Sequence, residues 1–309
     1  MKETFTTSRM ASRGHSQHQA LSELRQRCME GNIGWIVDAD VKGYFDNIDH
    51  GKLLEVIRQR VNDRGIIRLI GKWLNAGLME GETLTHAEKG TPQGGVISPM
   101  LANMFLHHVL DEWFVKEAKP IMKGQRFLIR FADDFLIGVE HESDAQWVMM
   151  ALTERLQQYG LTIHPTKTRL VKFGRPKSKS DSSENESFDF LGFTHYWAKS
   201  RRGYWIIKRE TAKKRLRRTL KRIWEWCRAT RHWPITEQYR MLCLKLKGHY
   251  QYYGIRSNYR KLAVVHLRVR QAWRFWLSRR SNTGSIKWED FVKLELQFPL
   301  PKPKIVHAI

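Results

Sequence analysis

Up to about residue 200, short alternating apolar runs are interleaved with stretches at helical spacing; beyond it only the helical spacing recurs. Residues 1–16 are polar and patternless, and no ordered element is expected there. Leu21, Leu24 and Cys28 recur at helical spacing, which predicts a helix over His18–Met29. Gly34–Val41 reads as a strand that runs into acids. Asp49 is a plausible N-cap for a helix to about Arg60, and a second helix covers about Ile66–Ala76. Ser98 as N-cap and Pro99 at the first helical position open a long helix. Strands follow at Arg126–Phe131 and Phe135–Val139, with Ala132-Asp133-Asp134 between them. A helix over Asp144–Tyr159 and a strand near Thr168–Phe173 complete this part.

Gly174–Ser187 is rich in Ser, Lys and Glu and reads as a flexible loop. Strands at Phe188–Trp197 and Tyr204–Ile207 come next, and from Glu210 the pattern is helical. Leu216, Leu220, Ile223, Trp224 and Cys227 form one apolar face, opposite Lys213, Lys214, Arg217, Arg218 and Lys221. Further helices fit Gln238–Tyr253, Arg260–Arg280 and Trp288–Leu296. No internal repeat is visible, and the composition shift sets a domain boundary near 200–210.

Charge sharpens that boundary. The 309 residues carry a net +23, with 41% apolar residues, enough to fill a core. Between Lys199 and Arg280 there are 25 Lys and Arg against three acids, whereas the rest holds 29 basic and 28 acidic residues. Like charges at this density repel unless phosphates or counterions compensate, so the helical region calls for a polyanionic partner. Six Trp and six Tyr lie among those basic residues, and aromatics in a basic groove can stack on bases. Most of these rings are nevertheless expected in the core. Cys28, Cys227 and Cys243 make no disulfide framework, and no apolar run suits a signal peptide or a bilayer span. The expectation is a soluble, cytoplasmic protein.

Nucleotide transfer by two divalent cations requires carboxylates that converge from separate segments. Asp40 at a strand end and Asp133 with Asp134 in a tight hairpin are candidates. Three carboxylates about 4 Å apart would repel by roughly 4 kcal/mol per pair, so such a cluster implies cations between them. Taken singly, each Asp could equally cap a turn. In Gly90-Thr91-Pro92-Gln93-Gly94-Gly95, Pro92 holds Thr91 extended and the glycines let backbone approach a nucleotide or template. Gln93 offers both donors and an acceptor there.

Five motifs occur in order: D-V-K-G-Y-F-D-N-I-D-H (Asp40–His50), G-T-P-Q-G-G-V-I-S-P-M-L-A-N (Gly90–Asn103), F-A-D-D (Phe131–Asp134), G-L-T-I-H-P-T-K-T (Gly160–Thr168) and F-L-G-F (Phe190–Phe193). Together they resemble the palm motifs of bacterial group II intron-encoded reverse transcriptase/maturases. The segment Leu242–Gly254 resembles the core of the maturase domain of the same proteins.

The resemblance implies an α+β fold: a reverse-transcriptase palm of antiparallel sheet backed by helices, then an α-helical thumb and maturase region. Residues 1–205 would form partial fingers and palm, and 206–309 the thumb and RNA-binding maturase domain. It implies an RNA-directed DNA polymerase that adds dNTPs to a primer 3′-hydroxyl with two Mg2+ ions. Asp40, Asp133 and Asp134 would be catalytic, and with Val41 would hold the metals. Phe45 would bar a 2′-hydroxyl, with an ordinary core Phe as the alternative. Gln93, Gly94 and Lys167 would join it at the nucleotide, although a plain surface Lys also fits. Leu191 and Gly192 would grip the primer; Asp46 and Asp49 read as structural.

The implied partners are template RNA, DNA primer, dNTPs and group II intron RNA, the last bound through Lys213, Lys214, Arg217, Arg218, Lys221, Lys245 and Lys247. Two departures stand out. Only 39 residues precede Asp40, and Ser12–Leu21 keeps just the end of an upstream fingers motif. A truncated reading frame is expected, which makes a catalytically impaired RNA-binding splicing factor the alternative. Phe131 stands where the family often has Tyr. No Cys/His cluster of the HNH endonuclease kind closes the chain, so DNA cleavage is not expected.

Overall fold

The computed structural model describes residues 7–9, 16–75, 78–80, 83–85, 97–177, 185–281 and 285–309. The chain divides into two compact units, Met1–Ser187 with Trp197–Ile206 and Phe188–Tyr196 with Ile207–Ile309.

Alternating apolar residues build the first unit around a five-stranded sheet. In chain order its strands are β1 (Thr7–Arg9), β2 (Trp35–Ala39), β5 (Arg126–Phe131), β6 (Asp134–Val139) and β7 (Arg169–Lys172). Their order across the sheet is β1-β5-β6-β2-β7, all neighbours antiparallel except the short edge strand β1, which pairs parallel with β5. That edge strand corrects the expectation of no element before residue 16. Its Ser- and Thr-containing triplet has no apolar alternation by which to recognise a strand. A hairpin of β3 (Leu78–Glu80) and β4 (Thr83–Thr85) was also unanticipated.

Register puts Leu128, Ile137, Val37 and Leu170 on one line across four strands; the first three are buried in the main core and Leu170, partly buried, packs against it. That core is closed by α2 (His50–Arg58), α3 (Arg64–Asn75), α4 (Ser98–Leu106) and α6 (Glu142–Gln158). Before them α1 (Gln17–Glu30) contacts β5 and buries Ala20, Leu21, Leu24 and Cys28. Gly138 is fixed by packing, because a Cβ there would lie 2.4 Å from the Phe127 ring on the paired strand.

The first two helix starts follow local capping chemistry. Ser16 and Gln19 form a reciprocal capping box at α1, and Asp49 accepts the Lys52 amide at 3.0 Å to start α2. At α4 the expected cap is displaced: Ile97 is the N-cap and makes no side-chain cap bond, while Ser98 is already helical. Pro99 therefore sits one position further in, still within the turn whose amides lack intrahelical partners. The long helix does exist, but past Leu106 it widens into π-helical turns over His107–Glu112 and Phe114–Ala118 before α5 (Lys119–Ile121).

The apolar run expected as one strand over Phe188–Trp197 is broken into β8 (Phe188–Phe190) and β9 (Phe193–Lys199). Leu191 (φ +48°) and Gly192 (φ +78°) supply the two left-handed positions of a tight hairpin turn. With β10 (Trp205–Thr211) these strands form a sheet ordered β10-β9-β8. Four helices follow: α7 (Lys213–Ala229), α8 (Ile235–Tyr253), α9 (Tyr259–Leu277) and α10 (Trp288–Gln297). Their apolar faces meet around Ile223, Leu242, Leu246, Val269 and the fully buried Trp273. The Trp273 indole donates to Gln238 Oε1 (2.9 Å), whose amide nitrogen in turn caps the Thr230 carbonyl (2.9 Å), so these two buried side chains are matched.

Candidate active site and nucleic-acid interface

The F-A-D-D hairpin forms because Phe131 and Asp134 are the last paired residues of β5 and β6, with Ala132 and Asp133 between them. Ala132 takes the left-handed conformation (φ +57°), uncommon outside glycine. On the other flank of β6, β2 ends in the pair Ala39 to Phe135. One further step in that register sets Asp40 beside Asp134. The three predicted carboxylates thus share one end of the sheet's interior strands, on adjacent strands and the turn that joins two of them. Asp134 is exposed, whereas Asp40 and Asp133 are half-buried.

The Gly160–Thr168 segment is fastened along Asp40. The His164 amide donates to the Asp40 carbonyl (2.7 Å) and the Lys42 amide to the Thr162 carbonyl (2.8 Å). Val41 bridges Ile163 between them, and the Asp40 amide reaches Thr168 Oγ1 at 3.3 Å. Lys167 consequently reaches the Asp40 carboxylate, Nζ to Oδ2 at 2.6 Å. A loop distant in sequence is brought to the first Asp by backbone pairing.

Oxygen donors of this kind suit a hard divalent cation. Their side chains are not drawn together, however: among the described residues no three Asp, Glu, His or Cys groups lie close enough to hold a metal. The backbone register fits a carboxylate metal site. Val41 has no side-chain donor, so only its backbone carbonyl could join such a site.

Phe45 lies in a short 3-10 turn, Tyr44–Asp46, entered through Gly43 in the left-handed region. It is half-buried against the core and meets Tyr44 edge-on at 5.4 Å. The Tyr44 hydroxyl donates to the Ala102 carbonyl. Burial raises its pKa, Arg130 opposes that rise and Asp133 adds to it, so the hairpin carboxylate lies within electrostatic reach of Tyr44. Gln93 and Gly94 lie outside the described residues. Sequence reading passed over Arg130, Asp111 and Asn103. The Arg130 guanidinium is fully buried, bonded to both Asp111 oxygens (2.7 and 2.6 Å), to Asn103 Oδ1 (2.9 Å) and to the Ala132 carbonyl (2.8 Å). The available signal was a cation in the middle of an apolar strand.

In the second unit, the Leu191–Gly192 turn is gripped by the Leu242–Gly254 motif. Tyr252 Oη donates to the Leu191 carbonyl (2.9 Å), and the Ala212 amide to the Gly192 carbonyl (3.0 Å). Phe193 stacks on Tyr252 with centroids 5.9 Å apart and leans on Tyr253 at 5.2 Å. A Cβ at Gly192 would come within 3.1 Å of Tyr253 Oη, so the turn is closely covered.

Lys213, Lys214, Arg217, Arg218 and Lys221 are all exposed along α7, as are Lys245 and Lys247 on α8. Lys221 pairs loosely with Glu225 (3.7 Å), and Lys245 lies over the Trp226 ring at 5.1 Å. The other five form no ion pair among the described residues, which leaves their charge for an external anion. No helix among the described residues is long and apolar enough to cross a membrane.

A family model described as reverse transcriptase (RNA-dependent DNA polymerase) matches residues 3–195. The group II intron-encoded protein LtrA of Lactococcus lactis subsp. cremoris is 42% identical over 101 residues, 33% of this chain and 16% of that protein. Protein YkfC of Escherichia coli (strain K12) is 34% identical over 155 residues, 40% of each. The chain thus spans well under two thirds of these relatives. Among solved structures, apo telomerase from Candida tropicalis aligns with a TM-score of 0.49 at 13% identity, covering 93% of this chain and 49% of that one.

Proposed function

Because the chain belongs to the reverse transcriptase (RNA-dependent DNA polymerase) family and is similar to group II intron-encoded proteins, we propose that it is an RNA-directed DNA polymerase that also binds intron RNA. The observation that carries the reading is the shared register of β2, β5 and β6, which sets Asp40 next to the Asp133–Asp134 hairpin at one end of these strands.

In this reading Asp40, Asp133 and Asp134, with the Val41 backbone, hold two Mg2+ ions. When bound, the ions supply activation of the primer hydroxyl and charge neutralisation at the leaving pyrophosphate. Lys167 stands beside Asp40 with an ammonium group suited to the triphosphate, where it could donate a proton to the departing pyrophosphate. Phe45 presents a ring where the incoming sugar would lie, so a 2′-hydroxyl finds no room. Gln93 and Gly94 would contact the nucleotide from the Gly90–Gly95 loop. Residues 1–205 would serve as palm with part of the fingers, and 206–309 as thumb and maturase domain. The Leu191–Gly192 turn would hold the primer end, and the exposed cations of α7 and α8 would bind template, primer and intron RNA phosphates.

The test is extension of a DNA primer on an RNA template with Mg2+ and dNTPs, beside an Asp133→Ala control. Extension by the native sequence and a drop of at least a thousandfold in the control is expected, since a metal ligand is lost. Absence of extension, with salt-sensitive intron RNA binding retained, would instead identify a splicing factor without polymerase activity.

A further inference from the structure

The hairpin that carries Asp133 and Asp134 is anchored from beneath by a buried charge. Every bonding direction of the Arg130 guanidinium but one is used on two neighbouring elements: a bidentate pair with Asp111, a bond to Asn103, and a bond to the carbonyl of Ala132. That carbonyl belongs to the peptide group that leads into Asp133. Its residue is the left-handed Ala132, a conformation an Ala holds only when its surroundings enforce it. The bond from Arg130 supplies such a constraint at the position where the chain turns toward the carboxylates.

The partner helix is shaped for this contact. Asn103 lies in α4 and Asp111 in the π-helical stretch, eight residues apart. In a straight α-helix eight residues would rotate Asp111 about 80° away from Asn103. A π turn advances fewer degrees per residue, which returns Asp111 toward the face of Asn103, and such turns recur at functional sites. His107 Nδ1 lies 2.8 Å from Asp111 Oδ2 and completes the carboxylate's bonding. Burial alone would raise the Asp111 pKa, yet its bonds to Arg130 and His107 hold it below the usual value. The same helix accepts the Tyr44 hydroxyl through the Ala102 carbonyl, and Tyr44 abuts Phe45.

We propose that the buried Arg130–Asp111 pair, braced by Asn103, is a positioning device that fixes the Ala132–Asp133 peptide and so sets the aim of the Asp133–Asp134 hairpin. A merely structural pair could be exchanged for apolar groups of similar volume with little loss, because a buried ion pair adds little net stability over such packing. A positioning pair could not, because Met has no donor for the Ala132 carbonyl. The consequence for synthesis rests on the polymerase reading; the consequence for the hairpin does not.

The experiment compares the native sequence with the double variant R130M/D111L by thermal melting, by amide hydrogen exchange over residues 131–135, and by primer extension. The double variant is expected to melt within a few degrees of the native protein. Its hairpin amides should exchange at least tenfold faster while those of α6 do not change, and extension should fall at least a hundredfold with a higher Mg2+ requirement. A folded double variant with native hairpin exchange would overturn the proposal. Should that variant not fold, R130K provides the same test. Its ammonium can stay on Asp111 but lacks the planar fork that also reaches Ala132, so faster hairpin exchange is expected and native exchange overturns the proposal. If the native chain extends no primer while its hairpin still loosens in the variants, the positioning role stands and the polymerase reading falls.

Discussion

Lys167 and Asp40 meet at 2.6 Å with side chains 61% and 36% exposed, a geometry that adds little to stability. If the pair serves chemistry, Lys167→Ala should shift thermal stability by less than about 1 kcal/mol. It should still lower the primer-extension rate by about a hundredfold or more, as loss of a general acid does. Equal small effects on both would mark Lys167 as a plain surface residue. Asp40, Asp133 and Asp134 were legible as candidates because distinctive neighbours surround them. Arg130 was not, because a buried cation gives no local signal of what it binds. Asn103 and Asp111 are 27 and 19 residues away in sequence, and only the fold joins them to it.

At the scale of elements, helices with caps and an amphipathic face were readable to within a few residues, as α1 and α2 demonstrate. The π-helical turns after Leu106 left no trace in the apolar pattern, since that stretch is buried on several sides and has no single stripe. The Leu191–Gly192 turn was concealed inside an apolar run because Leu191 takes a left-handed conformation and is itself buried. Gly192→Ala should cost about 1–3 kcal/mol, from strain at φ +78° and crowding against Tyr253, as measured by denaturant unfolding.

The adjoining β9 carries a pH response. His195 is fully buried and stacked on Phe188, and burial, with the Arg209 charge, lowers its pKa to about 3. The unfolded chain therefore binds more protons than the native one between about 3 and the ordinary value of 6.5. Stability should fall as pH drops through 6.5 and continue to fall towards 3. His249, lowered to about 4 by burial, acts in the same direction. Melting curves from pH 7 to 4 should show a smaller loss for His195→Phe than for the native protein. An identical loss would mean that His195 is not the group responsible.

Across the whole molecule, charge separates what composition can and cannot say. The surplus of basic residues after Lys199 was plain from the sequence, and the structure puts the α7 cations at the surface. If that face meets RNA phosphates, replacing Lys213, Lys214, Arg217 and Arg218 by Gln should reduce the slope of log affinity against log salt by about 3. An unchanged slope would remove α7 from the interface. What composition could not reveal is strand order: β2 and β6 are nearly a hundred residues apart, and their pairing alone makes neighbours of Asp40 and Asp134.

That adjacency is most directly tested by counting bound Mn2+ by electron paramagnetic resonance, with Asp40→Asn and Asp133→Asn beside the native sequence. Two ions per chain, with each substitution weakening binding at least tenfold, is the expected result. Native-like Mn2+ binding in both variants would contradict a shared metal site built from β2 and the β5–β6 hairpin.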